Sequence, residues 1–185
     1  MPDLAGSKIA FFGFTGAIDP NGASRIAAAM NHAVNNDFDE VVLSFSSNGG
    51  YVADGIFLYN HIQSLPIKVT IYNTGSVSSI AVAIFVAAET RYCSQHSMFM
   101  IHPTMLFPGQ DGMTSERLQA SLNAALFDDS RTEEILRNRT SLPQEVLNAR
   151  RFKDFYIRPQ DAVDWGLVNG VREFSLPNGN QITQI

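Results

Sequence analysis

Between residues 8 and 101, runs suited to buried strands alternate with runs suited to helices, and few folds accommodate that order. KIAFFGF (8–14), EVVLSF (40–45), IKVTIYN (67–73) and SMFMI (97–101) are short and rich in β-branched and aromatic residues, as buried strands are. The intervening segments carry helical patterns. Residues 23–34, inside GASRIAAAMNHAV, are Ala-rich, and residues 53–65 space apolar groups three and four apart before Pro66 ends the pattern. Residues 80–88 are apolar nearly all round. Strand and helix in alternation build parallel units with right-handed crossovers, so the chain reads as α/β.

After Pro103 the pattern changes. MLFPGQDGM is a Gly/Pro loop, and Ser115–Arg139 reads as one long, charged helix that stands off the sheet as a candidate subunit contact. A short helix over 143–150 and another in PQDAVDWG follow, the latter with Pro159 at its start and Gly166 at its end. VREFSL, PNGN and QITQI then close the chain as an expected hairpin over about 171–185. A length of 185 residues suits a single domain, 1–185, and no repeat or linker divides it.

Only 17% of residues are charged against 45% hydrophobic, which leaves apolar surface for subunits to cover. The net charge of -5 and the lack of a Lys/Arg-rich run exclude a nucleic-acid or anionic-membrane partner. Cys93 is the only cysteine, so no intrachain disulfide forms and a reducing compartment is expected. The first residues lack a basic leader and a cleavage-type ending, and the apolar run 80–88 is about half of the roughly 20 residues a membrane span needs. A soluble cytoplasmic protein is expected, with neither a metal nor a cofactor.

The chemistry is concentrated in TGSVSSIAVAIFVAA, where Ser76, Ser78 and Ser79 precede the apolar helix. The first N–H groups of a helix lack intrahelical partners and carry the positive end of its dipole. A serine there could present its oxygen to a carbonyl while the Ile80 N–H faces the oxyanion formed on attack. Ser78 or Ser79 would equally serve as a plain N-cap. SFSSNGGYVADG ends a strand in Gly49-Gly50, which is either a simple turn or a backbone that approaches a ligand; beside Ser79, the Gly50 N–H would be a second donor. Both stretches belong to the carboxyl ends of strands, where α/β sites form.

A serine needs a base. His32 and His61 fall within helical patterns and His96 within the polar turn RYCSQHS, whereas His102 ends the apolar strand MFMI just before Pro103 leads the chain outward. A carboxylate would hold the imidazole tautomer. Asp111, Asp128, Asp129, Asp154, Asp161 and Asp164 are all downstream options, and composition does not choose among them.

Together these pieces resemble the ClpP-type serine peptidases of the ClpP/crotonase superfamily, over about residues 8–168. IAFFGFTGAID matches the opening strand and loop, SNGG the Ser-Pro-Gly-Gly turn, and GSVSSIA the Gly-x-x-x-Ser motif. FMIHP matches the histidine strand, and KDFYIRPQDAVDWGLV the aspartate with its Ala-x-x-x-Gly-Leu-Val ending. The resemblance implies a spiral of repeated ββα units with a protruding handle helix, the handle region spanning about 104–153. It makes Ser79 the nucleophile, His102 the base and Asp154 its orienting carboxylate. Gly50 and Ile80 become the oxyanion donors, Gly49, Gly50 and Tyr51 substrate-binding residues, and Ser76 and Ser78 spacers. Substrate would bind extended along a strand-like stretch over 50–52. The order Ser, His, Asp differs from the Ser, Asp, His of α/β-hydrolases. Asn48 stands where the family has proline and Ile80 where methionine is common, both compatible with donors that are backbone N–H groups.

The resemblance further implies a homo-oligomeric ring, heptameric in most relatives and often stacked in pairs through the handle helix, acting on peptides or unfolded proteins. Relatives that work with an AAA+ unfoldase carry an extra N-terminal segment, and only seven residues precede the first strand here, so an unfoldase partner is not expected. Three rivals stand beside this reading: a serine activated by Lys153, a crotonase-like acyl-CoA enzyme sharing the two-donor site, and a non-catalytic ring subunit.

Overall fold

The computed structural model describes residues 7–106 and 112–185. The expectations about the first six residues, Asp111 and most of the Gly/Pro loop lie outside the described residues.

The chain begins with β1 (Ile9–Thr15), α1 (Pro20–Asn35), β2 (Glu40–Ser47), α2 (Val52–Ser64) and β3 (Lys68–Ser78). β1 pairs with β2, and β2 with β3, all in parallel. α1 starts three residues before the expected Ala23. The Asp19 carboxylate accepts from the Gly22 N–H at 2.7 Å, and Pro20 occupies the first turn, where its missing N–H costs nothing.

β3 runs five residues past the expected Asn73, and its length divides the sheet. Residues 70–73 pair with β4 (Thr90–Cys93), while residues 76–78 pair with β5 (Met98–Ile101), both in parallel. Asn73 sits at the fork, fully buried. Its amide donates to the Met98 carbonyl at 2.8 Å, its side-chain oxygen accepts from Gly75 N–H at 3.1 Å, and its carbonyl accepts from Ser94 N–H at 2.9 Å. β4 occupies what reads in sequence as part of a polar turn, because its alternation of half-buried and buried residues fits the flank of β3.

α3 (Ile80–Ala87) leaves the end of β3 with all eight residues buried, the arrangement expected of a helix that is apolar on every side. Its carboxyl end is closed by two arginines. Arg91 donates to the carbonyls of Val86, Ala88, Leu167, Gly166 and Arg139, and Arg139 to those of Val86 and Ala87. Cations suit this negative end of the helix, and burial, aided by Arg139, lowers the Arg91 pKa to about 10.

α4 (Ser115–Arg139) has the bounds its sequence suggests; Thr114 caps it by accepting from Arg117 N–H at 3.3 Å. Its first turns are exposed, and its base packs through Ile135 and Leu136. α5 (Gln144–Ala149), β6 (Phe155–Ile157) and α6 (Pro159–Asp164) follow. β6 pairs antiparallel with β5 in a stretch that reads in sequence as irregular.

The expected C-terminal hairpin does not form. PNGN does turn, with Asn180 N–H donating to the Pro177 carbonyl at 3.1 Å, but the flanking segments diverge. β7 (Gly170–Val171) joins β4 and β8 (Ile182–Gln184) joins β1, each in parallel. The open edges of β1 and β4 carry rows of unpaired N–H and C=O groups, and the chain end covers one edge with each strand. The resulting eight-stranded sheet runs β6-β5-β3-β2-β1-β8, with β4 and β7 branching from β3.

Candidate active site

Strand register brings the sequence-predicted residues together. Ser78 of β3 lies beside Met100 of β5, and Ser79 N–H donates to the Met100 carbonyl at 2.8 Å. Ile101 of β5 lies opposite Phe155 of β6 in the antiparallel pairing, so the next residues outward are His102 and Asp154. Ser79, His102 and Asp154 thus occupy the ends of three neighbouring strands.

Ser79 turns the chain from β3 into α3 with φ 58° and ψ -132°, a conformation that residues other than glycine rarely adopt. Its side chain makes no capping hydrogen bond, so the plain N-cap reading is not realised. Ser78 is buried and its hydroxyl meets that of Ser76 at 3.2 Å, leaving Ser79 as the one of the three hydroxyls that lines the adjoining cavity.

The glycine pair packs directly against this turn. Gly49 has φ 93°, and a β-carbon on it would stand 2.7 Å from Ser79 Cβ. A β-carbon on Gly50 would stand 2.1 Å from the Ile18 carbonyl oxygen. Ile18 bridges the loop: its N–H donates to the Gly49 carbonyl at 2.9 Å and its carbonyl accepts from Tyr51 N–H at 2.7 Å. With the flanking groups engaged, strand alternation turns the N–H of Gly50 away from Ile18. The N–H of Ile80 is also free of intrahelical pairing, as at the start of any helix. The expected strand-like stretch over 50–52 is shorter than the sequence suggests. Tyr51 N–H is taken by Ile18 and Val52 already begins α2, while Tyr51 as a whole is 66% exposed beside the cavity.

The imidazole of His102 is 9% exposed, and its Nδ1 lies 4.0 Å from Oδ1 of Asp154, whose side chain is 53% exposed. This is an ion-pair separation, longer than a hydrogen bond. Three of the other candidate carboxylates are engaged elsewhere, and Asp111 lies outside the described residues. Asp128 pairs with Arg131, Asp129 accepts from Thr104 N–H at 2.7 Å, and Asp164 accepts from Gln160 at 3.0 Å. Among the described residues, His102 is the histidine that lines the cavity; His61 instead stacks on Phe57.

The cavity measures about 860 Å³ and extends from Gly49, Ser79 and His102 to the base of α4. Sequence reading misses the far wall, formed by Ala125, Thr132, Leu136 and Arg150. Its one trace in sequence is the adjacent pair of small residues, Ala124 and Ala125, in α4.

Known proteins resemble this chain in sequence and in fold. The Clp protease family pattern matches residues 6–174. The chain is 27% identical over 169 residues to ATP-dependent Clp protease proteolytic subunit 2 of Pseudomonas aeruginosa, covering 88% of this chain and 83% of that one. It is 30% identical over 172 residues to ATP-dependent Clp protease proteolytic subunit 1 of a Synechococcus strain, covering 91% and 84%. The solved structure of a ClpP1 mutant from Listeria monocytogenes superposes with a TM-score of 0.74, covering 91% of each chain at 20% identity, a likeness of fold.

Proposed function

Because the chain belongs to the Clp protease family, we propose that it hydrolyses peptide bonds by acyl transfer, with Ser79 as nucleophile, His102 as general base and Asp154 as the carboxylate that orients the imidazole. The observation that carries this reading is the register of β3, β5 and β6, which ends three adjacent strands in Ser79, His102 and Asp154.

In the first step His102 takes the Ser79 proton as Oγ adds to the scissile carbonyl. The N–H groups of Gly50 and Ile80 receive the negative charge that develops on the carbonyl oxygen. His102 then returns the proton to the departing amine, leaving an acyl-serine. Water, deprotonated by His102, attacks the ester, and collapse releases the acid and restores Ser79. The strained backbone of Ser79 supports the assignment, because its conformation exposes Oγ to the cavity while the Ile80 N–H remains free. Tyr51 flanks the substrate path, and Gly49 lets the loop lie against Ser79.

Substrates in this reading are peptides or unfolded polypeptides, and the chain works as a ring of copies, heptameric or doubly stacked. Leu118, Leu122 and Leu126, spaced four apart on the exposed part of α4, support this assembly, as does Phe152, 88% exposed two residues before Asp154. A cytoplasmic setting fits a chain whose one cysteine, Cys93, is a buried free thiol. No helix among the described residues is long and apolar enough to cross a membrane.

The test is cleavage of a fluorogenic peptide by the purified chain. Ser79→Ala should lower turnover by at least ~1000-fold. Turnover of thioesters without peptide cleavage would contradict the reading in favour of an acyl-CoA enzyme, and full activity in His102→Ala would move the base role to Lys153.

A further inference from the structure

Arg150 ends α5 against the base of α4 and is 3% exposed, a costly place for a guanidinium. Its nearest carboxylate, that of Glu133 at 3.8 Å, is already shared with Arg137 at 2.7 Å and Arg151 at 2.8 Å. Charge pairing therefore does not account for its position. Its hydrogen bonds are more informative. Nη1 donates to the His102 carbonyl at 3.3 Å, and Nη2 donates to the Asp129 carbonyl at 2.9 Å and the Thr132 hydroxyl at 3.4 Å. Nε is buried without a partner.

The same segment is held a second time two residues on. Thr104 donates from both N–H and hydroxyl to Asp129 Oδ1, at 2.7 and 2.8 Å. The exit from β5 is thus fastened to α4 on each side of Pro103, once through Arg150 and once through Asp129. Arg150 also stands four residues before Asp154, where the chain folds back as Arg151 N–H donates to the Asn148 carbonyl and Phe152 N–H to the Ala149 carbonyl. A single planar fork therefore connects the backbone of His102, the handle helix and the segment carrying Asp154.

We propose that Arg150 is a positioning residue: by holding the His102 carbonyl against α4 it sets where the imidazole stands relative to Ser79 and Asp154. The proposal rests on the Ser79, His102, Asp154 reading above. It also makes the handle helix an element whose placement is felt at the histidine, since any shift of residues 129–132 passes through the same fork.

Arg150→Met keeps the length and apolar stem but removes every donor. Peptide turnover is measured per Ser79 that reacts with a fluorophosphonate, so that unfolded protein does not count. The expected result is a fall in kcat of about tenfold or more with KM within twofold of wild type, because misplacing a catalytic group by a fraction of an ångström lowers rate without altering substrate contacts. Arg150→Lys, which keeps the charge and one direct donor, should fall between the two, and it carries the test alone if the methionine variant does not fold. A wild-type kcat per reactive serine in either variant overturns the proposal while leaving the peptidase reading intact. A wild-type chain whose peptide cleavage survives Ser79→Ala overturns both.

Discussion

Gly49→Ala probes the contact on which the site depends. The new methyl would lie 2.7 Å from Ser79 Cβ and 2.9 Å from the Ser78 carbonyl oxygen. Carbon atoms rest at about 3.5–4.0 Å, so the loop and the serine must separate by about 1 Å. The backbone adds its own penalty, since φ 93° suits glycine and costs an L residue about 1–2 kcal/mol. Nothing flexible yields on the other side, because Ile18 pins the loop through Gly49 and Tyr51. The displacement therefore falls on Ser79 or on the Gly50 N–H, and an error of about 1 Å at such a site costs roughly 100-fold in rate. The assay is kcat/KM for a fluorogenic peptide alongside the rate of fluorophosphonate capture, with Gly170→Ala, whose methyl would meet no atom within 4 Å, as control. A Gly49→Ala enzyme within twofold of wild type in both measurements would refute the packing of the glycine turn against the nucleophile.

Other substitutions separate chemistry from support. Asp154→Asn should lower kcat by about 100-fold or more with KM little changed, since the imidazole loses the charge that orients it; unchanged kcat would remove Asp154 from the mechanism. Arg91→Met leaves buried carbonyls at the end of α3 without donors and should destabilise by about 3 kcal/mol, or some 6–12 °C in Tm, read by thermal melting. A Tm within 2 °C of wild type would contradict the capping account. Burial alone would raise the Glu133 pKa, but hydrogen bonds from Arg137 and Arg151 outweigh it and hold the carboxylate below its usual value of 4.5. A depressed folded-state pKa gives stability that is full above 4.5 and is lost as pH falls through the folded value. Urea midpoints should therefore show wild type ahead of Glu133→Gln at neutral pH, with the difference shrinking below that value; a constant gap would refute the linkage.

Much of this architecture is legible in sequence, where local pattern and burial agree. α4 keeps its expected bounds because cap, charge and length all favour a helix, and α3 is recognisable because nothing polar interrupts it. β4 and β6 are not legible. They are four and three residues long and take their form from a neighbouring edge, and nothing local distinguishes TRYC or FYI from a loop. The hairpin expectation fails for the same reason: PNGN marks a turn, but which edges its arms reach is decided by β1 and β4, strands far from it in sequence. At the site, Ser79 and His102 announce themselves at strand ends. Composition leaves six aspartates competing for the third place; only the family resemblance singles out Asp154, and the register of β5 and β6 sets it beside His102. Arg150 carries no sequence signal, since its importance lies in carbonyls of residues 102 and 129 that folding brings within its reach.

The central claim is that one hydroxyl, Ser79, is the nucleophile. Treating the folded chain with a fluorophosphonate and mapping the adduct by mass spectrometry tests it most directly. One adduct per chain, on Ser79, that disappears in Ser79→Ala and forms much more slowly in His102→Ala, is the predicted result. An adduct on Ser76 or Ser78, or peptide cleavage that continues with Ser79 fully modified, would contradict the account.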